Sequence, residues 1–532
     1  MARLRQRRTL PVVEQWRASG TAFACTSERI EARYDKAVRE LFDCIKPTEV
    51  TAPLLHEGGV YHGCWLESTG TINTELLARF LPHIATTTYS AFADFQREDG
   101  LIPYKITAAG AAFAQVQLVS PLARCVWHHY RLNGRDRAFL GKMYAAMSRY
   151  DDWLVRFRNT RGTSGVEAFC TYDTGHDLSA RFWHVPDSPF NNDARTVHPD
   201  NPILPFIAPD LTANVACQRF HLAQIAEELG EPFEPWRQKA EASVRALFEQ
   251  CFDAKDFFFY DRDRNGQLVR VQSDVLLRVL ACEIGDGAFF AQALERYLLN
   301  TRKFFSKYPF TSIALDDPRF DPNFGQNSWS GPSNFLSIIR AAHAFEHHGH
   351  HVELSWAQKP ILAALFDMET FPQTLSPFTG APGYTESYSP SILCLLDFME
   401  RRSGILPRPD GTLWFTGLVP EEVIHKDVRH QTAYSREIDG LNFELLNDGS
   451  NVTILRDGQE HIRFPYGVRV TTDRLGTPTA VTGLVSRTAT GTLQTPSGRY
   501  ELSVGPNEVQ SFADGSLIPS SAPKLVFPTY GS

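Results

Sequence analysis

From about residue 25 to residue 402 the apolar positions recur with helical spacing. Leu76, Leu77, Phe80, Leu81 and Ile84 form one stripe, and Leu140, Met143, Tyr144, Met147, Leu154 and Phe157 form another. Val215, Leu222, Ile225 and Leu229 repeat it, as do Phe335, Ile338, Ile339, Ala342 and Phe345, and then Ile392, Leu395, Leu396 and Met399. The pattern predicts about a dozen helices separated by Gly, Pro and Asp-rich turns. Ser120-Pro121 reads as an N-cap followed by a first-turn proline, and Gly230 and Gly349 sit where helices should stop.

After about residue 430 the period changes to two. Leu441, Phe443 and Leu445 alternate, Asn447-Asp448-Gly449 turns, and Val452 and Ile454 follow. Ile462/Phe464, Val468/Val470, Val481/Gly483/Val485 and Tyr500/Leu502/Val504 continue the alternation, punctuated by Asp457-Gly458, Gly476, Gly491 and Pro506. The spacing predicts an antiparallel β-domain, a sandwich, behind a long helical array. The expected domains are 1–427, helical, and 428–532, β.

A chain of 532 residues is long enough for two cores. The 53 Lys and Arg against 61 Asp and Glu give a net charge of −8 without a basic stripe, which argues against nucleic-acid binding. The nine cysteines form no CxxC pair and read as reduced thiols in a cytoplasmic protein. No apolar h-region follows the basic start, and no run of eighteen apolar residues suits a membrane span.

Several inter-helical loops mix carboxylates, amides and aromatics. "TYDTGHDLSARFWH" (171–184) is the densest, with Asp173, Asp177 and Arg181 ahead of Phe182-Trp183. "GYTESYSP" (383–390) places Glu386 between Tyr384 and Tyr388, and "GQNSWSGPSNF" (325–335) carries Trp329 and Gly331. "GCWLESTG" (63–70) and "QREDGLIPYK" (96–105) are of the same kind. Glycosidic bond hydrolysis needs a carboxylic acid to protonate the leaving oxygen and a second carboxylate across the sugar. Aromatic faces and amides supply the rest of a sugar site.

These blocks, in this order, resemble those of glycoside hydrolase families 63 and 37, the processing α-glucosidase and trehalase families. The similarity is nearest to the bacterial mannosylglycerate and glucosylglycerate hydrolase group. "DTGHDLSARF" is similar to their E-[ST]-G-x-D-x-S-x-R-[FW], "QREDGLIP" to Q-x-x-D-G-x-I-P, and "APDLTANVACQ" to a V-D-L-N-A helix start. "DPRFDPNFGQNSWSGPSNFL" and "YTESYSP" resemble the remaining two blocks. The resemblance implies an (α/α)6 barrel and an exo-acting, inverting α-glycosidase of a small glycoside or oligosaccharide. It makes Asp177 the general acid and Glu386 the general base, their carboxyls about 6.5–9.5 Å apart. Trp65, Glu67, Tyr104, Gln117, Arg181, Trp329, Gly331 and Tyr384 are the candidate sugar-binding residues. Phe182 or Trp183 is expected to bury Asp177 and raise its pKa. No cofactor is expected. The sequence departs from the pattern at Leu66, where the first block usually has Asp, at Ser330 for Arg, and at Asp173 for Glu.

Each residue also has a plainer reading. Asp177 alone suits a turn or an N-cap, Glu386 a solvated loop, Trp329 and Trp65 core packing, and Arg181 an ion pair with Asp173 or Asp177. "EHHGHH" (346–351) reads as a helix end and "DRDRNG" (261–266) as a turn between barrel helices, so no metal is expected. The competing functions are a sugar epimerase, which would need catalytic histidines such as His128 and His129, and a non-catalytic sugar-binding protein.

Overall fold

The computed structural model describes residues 13–117, 120–421, 430–520 and 522–531, with Leu4 and Gln6. Among the described residues, twelve α-helices between residues 28 and 403 alternate between an outer and an inner position. The outer ones are α1 (Glu28–Asp43), α3 (Pro82–Asp94), α5 (Arg137–Phe157), α7 (Glu234–Cys251), α9 (Gly287–Ala293) and α11 (His351–Asp367). The inner ones are α2 (Asn73–Leu77), α4 (Leu122–Leu132), α6 (Pro209–Leu229), α8 (Val275–Leu280), α10 (Phe335–His347) and α12 (Ser389–Ser403).

Each inner helix packs on the next, α2 on α4, α4 on α6, α6 on α8, α8 on α10, α10 on α12, and α12 returns to α2. The circuit closes. The inner helices are accordingly buried over most of their surface. Every residue of α12 is buried; Arg401 pairs with Asp397 and Glu346, Glu400 with Arg436, and Arg402 donates to Ser355 Oγ. Side-chain caps fix several starts: Asn334 accepts from Leu336 N, and Asp136 from Ala138 N and Phe139 N.

Two details differ from the sequence pattern. The stripe from Leu76 to Ile84 is two helices, because Pro82 cannot continue the first and instead opens α3. Ser120 does not cap α4; its hydroxyl donates to the Glu67 carbonyl at 3.0 Å.

The β-region forms two antiparallel sheets. One runs β1 (Ala22–Cys25), β4 (Thr432–Ile438), β5 (Leu441–Asn447), β6 (Asn451–Arg456), β7 (Gln459–Pro465), β10 (Ala489–Thr495) and β11 (Gly498–Val504). The other runs β2 (Ile405–Pro407), β3 (Leu413–Thr416), β8 (Val468–Thr472), β9 (Pro478–Gly483), β12 (Val509–Ala513) and β13 (Ser516–Pro519). Inward residues meet between them: the rings of Phe415 and Phe443 lie 5.5 Å apart, with Val452, Phe464, Val470 and Val481 buried around them. The expected boundary at 427/428 lies outside the described residues. Strands on both sides of it join the sheets, β1 pairing Phe23 with Tyr434. Gly491, read as punctuation, lies inside β10. "DRDRNG" lies on the link between α7 and α8, where it begins a short hairpin that pairs Asp261–Arg262 with Leu268–Val269.

Candidate active site

Each of the chemically dense loops lies on a link that leads into an inner helix, and hydrogen bonds join these links into a second circuit. Ser389 N donates to the Glu57 carbonyl (2.8 Å), linking the entries to α12 and α2. Ser120 Oγ reaches the Glu67 carbonyl, linking α2 and α4, and Val116 N donates to Asp173 (3.0 Å), linking α4 and α6. Arg278 Nη1 donates to the Thr174 carbonyl (2.9 Å), Asp274 N to that of Ser312 (3.1 Å), and Phe335 N to that of Gln373 (3.0 Å). The loops therefore share one end of the helical ring.

Asp177 is half-buried in this ring of loops. Asn327 Nδ2 donates to its Oδ2 at 2.7 Å, and Trp329 N to its carbonyl at 3.2 Å. Burial, followed by the charges of Glu57 and Asp187, pushes its carboxyl up to about 7. The aromatics expected to do this do not: Phe182 is buried against Phe206, rings 5.9 Å apart, and Trp183 is 57% exposed. Ser330, where the related pattern has Arg, bridges the two loops: Ala180 N donates to its hydroxyl (2.9 Å), which donates to the Leu178 carbonyl (3.0 Å).

The rest of the 171–184 loop is scaffold. Asp173 is fully buried and accepts from Arg158, Val116 N and Phe169 N. Arg181 makes a bidentate pair with Asp261 (2.8 and 2.7 Å) and another with Asp210 (2.9 and 3.1 Å). Its partners are these, not Asp173 or Asp177, and the pairing fills its donor directions. Arg181→Ala is therefore expected to destabilise the fold by about 3–5 kcal/mol in urea unfolding, as expected for breaking a buried pair. Unchanged stability with a large rise in KM would instead place Arg181 on the sugar.

Gly175 sits at φ +66°, and a Cβ there would fall 2.1 Å from Glu67 Oε2. The glycine lets the Glu67 carboxylate lie against the 171–184 loop. Glu67 is buried, 3.8 Å from Arg278 Nη2, while Leu66 points into the core. Burial drives the Glu67 carboxyl well above its usual range, against the pull of Arg278 and Arg340. Trp329 is 1% exposed, under the Arg278 guanidinium (4.7 Å) and edge-on to His176 (4.8 Å). Gly331 meets the Asp321 carbonyl so closely that no side chain fits. Trp65 packs edge-on to Tyr61 (5.7 Å), with Lys105 Nζ 5.6 Å from its ring and 5.5 Å from that of Tyr104.

Several buried polar atoms here have no hydrogen-bond partner among the described residues: Glu67 Oε1, Gln117 Oε1, Arg278 Nη2, Asn327 Oδ1 and Trp329 Nε1. Buried polar groups are costly to leave unpaired. Donors and acceptors gathered this way suit a polyhydroxylated ligand.

The 384–388 loop rests on the 57–61 turn. Val60 N donates to Thr385 Oγ1 (3.1 Å), Gln373 N to the Tyr384 carbonyl (2.8 Å), and Tyr61 OH to Gln373 (2.9 Å). The Glu386 backbone lies against Gly59, but its side chain is exposed and makes no hydrogen bond or ion pair among the described residues. Tyr384 is half-buried. The buried carboxyl beside this loop is Glu57. It accepts from Tyr388 OH at 2.6 Å, and burial pushes it up to about 7. Sequence reasoning passed over Glu57, Asn327 and Arg278. Only Arg278 left a signal, a lone charge in the apolar segment "VLLRVL".

His128 and His129 are not in the loop ring. His128 pairs with Glu75 at 2.5 Å, and His129 packs edge-on to Phe139.

The entry loops of the helical ring gather carboxyls, unpaired polar groups and indoles, the kinds of groups that a sugar site needs. Residues 61–391 match the mannosylglycerate hydrolase MGH1-like glycoside hydrolase domain, and the chain belongs to that family of glycosidases. The fold is similar to that of a mannosylglycerate hydrolase from Thermus thermophilus in complex with Tris. TM-score is 0.58 and identity 17%, over 68% of this chain and 98% of that one. The same enzyme in complex with glucose gives TM-score 0.58 at 18% identity, over 69% and 99%. A neutral trehalase from Saccharomyces cerevisiae gives 0.51 at 10% identity, over 66% and 73%. No curated protein matches. No helix among the described residues is long and apolar enough to cross a membrane.

Proposed function

We propose that this glycosidase is an exo-acting, inverting enzyme that cleaves an α-glycosidic bond, of the α-glucosidase or α-mannosidase type, in a small glycoside or oligosaccharide. The closed circuit of inner helices is read as an (α/α)6 barrel, with the sugar entering at the loop end. Asp177 is the general acid and Glu386 the general base. Glu67, Gln117, Trp329 and Arg278 face the sugar, Trp65, Tyr104 and Tyr384 border it, and Gly331 and Arg181 hold the loops. The free, buried cysteines suit a reducing, cytoplasmic compartment.

The observation that carries this reading is Asp177, a carboxyl held at about 7 beside a cluster of unpaired buried polar atoms. A general acid must hold its proton near the working pH, and burial with a neighbouring negative charge achieves that. Glu386 reaches its role through the loop that carries it, since catalytic geometry often tightens only around substrate. The test is a panel of α- and β-glucosides, α- and β-mannosides and glyceryl glycosides, scored by sugar release. Cleavage confined to α-linked substrates is expected. Cleavage of β-linked substrates alone would overturn the assignment.

After burial, Glu57 contributes most to the raised Asp177 carboxyl. Its negative charge raises Asp177, so Glu57→Gln should lower the Asp177 pKa. The active form is protonated Asp177, so the basic limb of the rate profile should move to lower pH while the rate well below that limb changes little. A basic limb left in place would remove Glu57 from the account.

A further inference from the structure

The C-terminal half of the helical ring carries a second group of ionisable side chains that hydrolysis does not use. We propose that Glu283, His343 and His347 form a binding site for one divalent transition-metal ion, such as Zn²⁺, remote from Asp177.

His343 and His347 lie one turn apart on α10, so they project from one face of the helix. Their rings are 6.2 Å apart and nearly parallel. Glu283 comes from the link that follows α8, and its Oε1 lies 2.8 Å from His343 Nε2. One ligand atom from each of the three lies within 4.8 Å of the others. Small side-chain rotations would bring all three to about 2.0–2.2 Å from a common centre. Two imidazoles with one carboxylate suit Zn²⁺, Co²⁺ or Ni²⁺ rather than Ca²⁺ or Mg²⁺.

The surroundings favour a cation. A cavity of about 350 Å³, lined by Glu75, Arg124, His128, His221 and His343, adjoins the group. The arginines lining this cavity are engaged: Arg124 is 3.5 Å from Glu75 and donates to the Ala281 carbonyl at 2.6 Å, Arg79 and Arg401 pair with Asp397, Arg408 pairs with Glu346, and Arg131 donates to the Pro409 carbonyl. With Glu75 offsetting Arg124, the Glu283 charge is left for the ion. Cys217 and His221 stand on α6 with ligand atoms within 4.8 Å of Glu283 as well, extending the donor set. The "EHHGHH" stretch takes part only through His347, which pairs upstream. His350 is engaged with Glu353 (2.9 Å), and His351 packs against Trp414.

Untagged, chelator-stripped full-length protein should bind one equivalent of Zn²⁺ by calorimetry and develop visible ligand-field bands with Co²⁺. Zn²⁺ should also raise Tm, because the ion ties α10 to the link after α8. His347 is exposed, so His347→Ala should fold normally. It should weaken binding at least about tenfold, since even outer-shell partners are worth that much. His343→Ala should do the same, and His184→Ala, an exposed histidine elsewhere, should not. Absence of stoichiometric binding, or affinity unchanged in both His343→Ala and His347→Ala, would overturn the proposal.

Discussion

Asp177→Asn is expected to slow hydrolysis of a glycoside with a poor leaving group by about 10²–10⁴-fold, with KM changed little. Asparagine keeps the shape and accepts the Asn327 hydrogen bond, but it has no proton to give. The loss should shrink for aryl glycosides whose leaving group departs without protonation. In the wild type the protonated form is active and is lost as pH rises through about 7, so the basic limb belongs to Asp177. It should vanish in Asp177→Asn for substrates with a good leaving group. A retained limb, or a mutant of near-normal rate on poor leaving groups, would exclude Asp177 as the acid.

Glu386→Ala is the second large effect. Without the base, water bound opposite the leaving group is not activated, and turnover should fall by about 10²–10⁴-fold. Asp177 remains able to protonate the departing oxygen. A small anionic nucleophile such as azide needs no deprotonation and should restore part of the rate by entering the same face. Because the Glu386 side chain is exposed, the mutation should leave Tm nearly unchanged. That separates a catalytic loss from an unfolding one. Full activity in Glu386→Ala would direct the search for the base to Glu57, the buried carboxyl beside the same loop.

What the sequence made legible follows from how the ring is built. The inner helices α6, α10 and α12 are announced by long apolar stripes, and the mixed-polarity loops between helices stand out by contrast, so the blocks around Asp177, Trp329 and Glu386 could be located without a structure. The circuit of hydrogen bonds that gathers them could not, because it runs through backbone atoms such as the Thr174 and Glu67 carbonyls. Glu57 was hidden in "HEGGVY", where only the Tyr388 hydroxyl, 331 residues away, gives it a role. After residue 430, period two located β5, β6, β7, β8, β9 and β11 but not β4, β10, β12 or β13. It missed β1, β2 and β3, which are three or four residues long and join the sheets from outside that region. From the sequence, Arg181 is a sugar-binding candidate and Trp183 a candidate to bury Asp177. The arginine is instead locked beneath the loop by two aspartates brought from residues 210 and 261, and the indole faces outward.

The central claim is that Asp177 and Glu386 act on opposite faces of an α-linked sugar with a water between them. Proton NMR of the anomeric region during the first minutes of hydrolysis tests it most directly. Water enters from the face opposite the leaving group, so the β-anomer should appear first, the α-anomer growing in only by mutarotation. Initial release of the α-anomer, or a sugar covalently trapped on Glu386, would contradict the account.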